Sequence, residues 1–288
     1  MKKSYSRIIV ALVTALTLII CLSGCGKTES KKIDYDTSLI NLGKEAIEEF
    51  GPIYVRTYDV TFDGGIYTAN INGTIQQVQI VDNEPEHITY KTLARVTDRK
   101  ILSIVEGAKK LIVSYINNSE ILVDKEQLIE SINNVKVMFT DANLVAEYKN
   151  GTVFINAKNA KDVCEWMVTH ELVHYLCELT NGSVENEMFP YSLFTEVMTD
   201  LITLSMNPKI NKDIVSGYSD YYFMVLPYIG VVEKDALGAY FYGYDWMSDK
   251  VDRNEFDLYV LSMDRVEVSE VAMVIVSNSV NKWIVMNG

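Results

Sequence analysis

His170, Glu171 and His174 stand in the run HELVH, and Glu196 and Asp200 follow in the run TEVMTD. On a helix, residues four apart lie one turn above each other on one face, so His170 and His174 can grip a single ion. Neutral imidazole is a good zinc ligand. A reactive tetrahedral zinc site takes three protein ligands and keeps one position for water. Glu171 sits beside both histidines, where it can reach that water instead of the metal and serve as general base. Glu196 and Asp200 are also four apart, which makes Glu196 a candidate third ligand on a second helix. The chain has three histidines, and two of them fall in this motif.

The elements that must position these groups are legible around them. Val163, Trp166, Met167, Leu172, Tyr175, Leu176 and Leu179 supply apolar positions at helical spacing, and Asn181-Gly182 is a stop signal. SLFTEVMTDLITLSMN reads as the second helix. HELVH followed by TEVMTD resembles the gluzincin group of zinc metallopeptidases in its thermolysin-like arrangement, over about Val163 to Ser205. The resemblance implies that His170, His174 and Glu196 hold one zinc and that Glu171 is the base. It also implies that Asp200 orients His170; read without it, Asp200 could equally solvate an exposed helix face. The metzincin pattern, with a third histidine soon after the motif, is absent from CELTNGSVEN.

The family's downstream histidine, which stabilises the transition state, has no counterpart. His87, the remaining imidazole, lies upstream in the DNEPEH loop and reads as a surface residue. A phenol can donate to the oxyanion that develops on a scissile carbonyl. The aromatic stretch SGYSDYYFMVLPYIGVVEKDALGAYFYGYDWM offers several. Tyr240 is the first choice, with Tyr242 and Tyr222 in reserve, although most tyrosines there are expected only to pack with wet hydroxyls.

Residues 1–24 read as a lipoprotein signal peptide. Lys2, Lys3 and Arg7 precede the apolar run Ile8 to Leu22, which falls short of the ~20 residues of a membrane span. Leu22-Ser23-Gly24-Cys25 resembles the bacterial lipobox, so Cys25 is expected to carry lipid and tether the chain outside the cytoplasm. Residues 25–37 form a polar spacer. Of four cysteines, Cys164 and Cys177 remain to the domain. Thirteen helical residues would separate them by ~20 Å, beyond disulfide reach, so both read as packed thiols. The net charge of −13 disfavours nucleic acid as a partner.

Residues 38–288 are expected to form one α+β, zincin-like domain in two lobes. A sheet lobe at 38–181 carries the metal helix, and a helical lobe spans 182–288. Helices are expected at Leu39 to Phe50, Thr97 to Asn118 and Lys125 to Ile132. Strands are expected at IYVRTYDV, IYTANI, TIQQVQI, VKVMF, LVAEYK and TVFIN, with turns at Asn72-Gly73 and Asn150-Gly151. TVFIN, just before the metal helix, is expected to be the edge strand that pairs with an extended peptide. The implied activity is zinc-dependent hydrolysis of peptide or protein substrates by a membrane-anchored metallopeptidase. A lipid-anchored zincin-fold protein that only binds or senses is the alternative, although Glu171 would then have no task. A lipoprotein passing metal to a transporter would favour a His-rich tract, and none is present.

Overall fold

A computed structural model describes residues 34–50, 60–63, 66–71, 74–79, 91–181, 192–206, 218 and 221–247. The expected signal peptide, Cys25 and His87 lie outside the described residues, as does most of the expected strand IYVRTYDV. Among the described residues no helix is long and apolar enough to cross a membrane.

Among the described residues the fold is α+β, mostly helical, with two small sheets. Helix α1 (Tyr35–Phe50) comes first. Its start is fixed by Asp34, whose carboxylate accepts from Thr37 N at 3.0 Å and from the Thr37 hydroxyl at 2.7 Å. The helix therefore begins before Leu39, and Tyr35 and Asp36 of the expected spacer are buried in it. Strands β1 (Val60–Asp63), β2 (Ile66–Ile71) and β3 (Thr74–Gln79) form an antiparallel meander in sequence order.

Strand β4 (Thr92–Arg95) precedes α2 (Arg99–Asn118), which Asp98 caps by accepting from Lys100 N and Ile101 N. After α3 (Lys125–Asn133) come β5 (Lys136–Thr140), β6 (Ala146–Lys149) and β7 (Thr152–Asn156). The second sheet is mixed and ordered β4-β5-β7-β6: β5 and β7 run parallel, and the other pairs run antiparallel. Asn150 and Gly151 join β6 to β7 with positive φ at both residues, the geometry Asn-Gly turns favour. This order corrects one expectation. TVFIN, as β7, is an inner strand, because β5 pairs on its other side; the edges are β6, next to it, and β4.

Four α-helices follow, α4 (Glu165–Asn181), α5 (Ser192–Met206), α6 (Tyr222–Val232) and α7 (Lys234–Tyr242), and a short 3-10 helix at Tyr244–Met247 ends the described residues. Helix α4 packs on α2, α3 and β6, and also on α5 and α7. It carries Trp166, Val168, Leu172, Val173 and Leu176, all buried, so apolar contact surrounds most of its circumference. Helix α1, expected with the sheet, packs instead on α5, α6 and α7. It meets α6 at Gly43 and Gly230, where a Cβ on Gly43 would lie 2.5 Å from Gly230 N. Glycine at both positions lets the two backbones touch. Cys177 is buried, Cys164 sits half-buried just before α4, and both are free thiols.

Candidate metal centre

The i, i+4 spacing on α4 and on α5 brings four side chains into one buried cluster. His170 and His174 are 8% and 9% exposed, and Asp200 is 1% exposed. His170 Nδ1 lies 2.7 Å from Asp200 Oδ1. A carboxylate oxygen accepts, so Nδ1 carries the proton and donates, and His170 Nε2 turns the other way. It lies 2.9 Å from Glu196 Oε2 and 3.1 Å from His174 Nε2. His174 Nε2 in turn lies 3.4 Å from Glu196 Oε1.

Three electron-pair donors thus meet at one point, His170, His174 and Glu196 forming a group that can hold a metal ion. Lone pairs at such distances repel one another unless a cation, either a proton or a metal ion, lies among them. Zinc bonds of about 2.0–2.1 Å in tetrahedral geometry would separate ligand atoms by about 3.3 Å. His170 Nε2 lies near that distance from His174 Nε2 and from one Glu196 oxygen, and His174 Nε2 from the other Glu196 oxygen, so the donor set suits zinc. Without metal the proton takes the place. Burial opposes charge on His170, but the Asp200 and Glu196 carboxylates outweigh it and push its imidazole up to about 10. Burial would likewise raise the Glu196 carboxyl, yet bonds from His170 and His174 hold it well below the usual carboxylate range.

Glu171, half-buried beside this cluster, has its Oε2 on the backbone N–H of Tyr148 at 2.7 Å. Tyr148 belongs to the edge strand β6, and its ring stacks on Tyr175 of α4 at 5.1 Å. Its hydroxyl donates to Glu178 Oε2 at 2.6 Å and accepts from Gly151 N at 2.7 Å. Glu171, Tyr175 and Glu178 occupy one face of α4, and all three clasp Tyr148. The general-base candidate is therefore tied directly to the sheet edge.

The tyrosines sort by position. Tyr240 is fully buried, and its hydroxyl lies 2.6 Å from Thr199 Oγ1, on the Nδ1 side of His174 and away from the converging atoms. Tyr222 donates to Asp200 Oδ2 at 3.3 Å, and Tyr242 accepts from Val123 N at 2.9 Å. Tyr218 instead lies with its ring nearly parallel to His170, centroids 6.4 Å apart, and its hydroxyl bonds to Glu196. Burial, then the charges of Glu196, Asp200 and Glu171, raise its phenol well above the usual range, so it keeps its proton. Sequence reasoning missed Tyr218, Tyr148 and Thr199. Thr199 alone left a signal, since it shares the helical face of Glu196 at i+3.

No protein-family model matches the chain, and neither a curated protein nor a solved structure matches it.

Proposed function

We propose that this chain is a zinc metallopeptidase of the gluzincin type, with a two-lobe zincin fold, that hydrolyses peptide bonds in peptide or protein substrates. The observation that carries the reading is the convergence of His170, His174 and Glu196, with Asp200 on the far nitrogen of His170. Zinc, when bound, would supply a Lewis acid that polarises the carbonyl and acidifies a water. His170, His174 and Glu196 would hold it, and the Asp200 carboxylate keeps the His170 lone pair aimed inward.

Glu171 is the base. Its Oε2 is anchored by Tyr148 N–H, which leaves Oε1 to take a proton from the attacking water and return it to the leaving amine. The phenol that donates to the developing oxyanion is Tyr218 rather than Tyr240, because its ring lies against His170 and its proton is retained. Strand β6 takes the role first expected of β7. Lys149 faces Thr152 across the two-residue turn, so Ala146 and Tyr148 direct their backbone groups to the free edge. An extended peptide can pair there with the Ala146 backbone groups and the Tyr148 carbonyl, since the Tyr148 N–H is already given to the base.

Export and anchoring outside the cytoplasm through lipid on Cys25 belong to the same reading and rest on the Leu22–Cys25 run. Cys25→Ser should leave the membrane fraction; wild-type fractionation of that variant overturns the anchor.

Metal analysis and peptide-library cleavage by the purified protein test the activity. One zinc per chain with cleavage is expected, and Glu171→Gln should keep the zinc and lose cleavage. Wild-type protein without zinc overturns the metal reading. Equal cleavage by Glu171→Gln and wild type overturns the role of Glu171. Zinc without cleavage leaves the alternative of a lipid-anchored binding or sensory protein.

A further inference from the structure

His170 and His174 are held from behind by two arms of unlike chemistry, both rooted in α5. Behind His170 stand the Asp200 carboxylate and the Tyr222 hydroxyl that donates to it. Behind His174 stands Thr199, fully buried, with its hydroxyl oxygen at a long 3.5 Å from Nδ1. A threonine hydroxyl has one proton and two lone pairs. The proton goes to Thr195 O, one turn back, at 2.8 Å. The Tyr240 O–H at 2.6 Å must therefore donate to Thr199, and the second lone pair is left for His174.

We propose that Thr199, braced by Tyr240, positions His174: by accepting from Nδ1–H it selects the tautomer whose Nε2 lone pair faces His170 and Glu196. The inference rests on the zinc reading and extends it to residues that touch neither metal nor substrate. It also gives the buried Tyr240 phenol a task that needs no access to the cleft. A neutral hydroxyl fixes tautomer and orientation as a carboxylate does, without adding a further negative charge to a cluster that already holds Glu171, Glu196 and Asp200. The competing account is ordinary back-bonding of a mid-helix threonine, with His174 held by packing alone.

Thr199→Val keeps the shape and removes the acceptor, Thr199→Ser keeps the acceptor, and Tyr240→Phe removes the brace. Zinc affinity is read by chelator competition, and the thermal midpoint of the metal-free protein reports folding. In the zinc-loaded protein, proton NMR follows the His174 Nδ1–H resonance. Thr199→Val should bind zinc about 10–100-fold more weakly, the usual cost of losing such a partner, and should lose or shift the Nδ1–H signal. Thr199→Ser should restore both, and Tyr240→Phe should fall between. Wild-type affinity in Thr199→Val, or equal weakness in Thr199→Ser, overturns the inference. Should Thr199→Val fail to fold, wild-type affinity and signal in Tyr240→Phe overturn it instead. Absence of zinc from the wild type itself removes the metal site and the inference together, an outcome distinct from any variant-only result.

Discussion

Asp36 and Asp200 are equally buried, each 1% exposed, and each takes hydrogen bonds from residues remote in the chain. Around Asp36 every contact has its own proton. Tyr115 donates to Oδ1 at 3.0 Å, while the Ser119 hydroxyl and Glu120 N donate to Oδ2 at 2.7 and 3.0 Å. That carboxylate ties the start of α1 to the end of α2, and the arrangement is closed. Asp200 also accepts, from His170 and Tyr222. Beyond His170, however, contacts outnumber protons: two imidazole nitrogens and a carboxylate face one another within 3.4 Å. Burial of a carboxylate therefore does not mark a site. A shortage of protons among converging donors sets the second cluster apart, because a proton or a metal ion must lie among them.

The comparison can be broken most severely at the ligands. His174→Ala and Glu196→Ala should each abolish stoichiometric zinc, read by metal analysis after dialysis; one zinc per chain in both would reduce the cluster to a second Asp36. Next in size is Asp36→Ala. It strands three donors, each costing about 1–3 kcal/mol when left unsatisfied, so urea unfolding should show a loss on the order of 4 kcal/mol. Zinc affinity of the folded protein should not change, and weakened binding would show that the closed cluster also serves the metal.

Asp200→Ala sharpens the contrast. Zinc should still bind, about 10–100-fold more weakly, and unchanged affinity by chelator competition would make Asp200 merely structural. The smallest effect is expected at Gly151, with φ +70 and open space around its Cα. Gly151→Ala should cost about 1 kcal/mol through backbone strain alone. A larger loss in thermal or urea unfolding would mean that the β6–β7 turn supports more of the clasp on Tyr148 than its own hairpin.

What the sequence determined by itself is what depends on near neighbours in the chain. The i, i+4 pairs His170/His174 and Glu196/Asp200 share faces as soon as α4 and α5 are helical, and their apolar spacing makes them so. Asp98 starting α2 and Asn150-Gly151 turning β6 into β7 are equally local. The tertiary structure alone decided which elements became neighbours. An inner and an edge strand can look alike in sequence, and only the insertion of β7 between β5 and β6 left β6 rather than β7 at an edge. The chain has 18 tyrosines, and nothing local separates Tyr218, against His170, from Tyr240, behind His174. Their places follow from how α5, α6 and α7 pack on α4, and that packing is set by contacts spread across the whole core. The α4 spacing aligns two histidines; whether their lone pairs meet Glu196 and their protons meet Asp200 and Thr199 depends on where α5 docks.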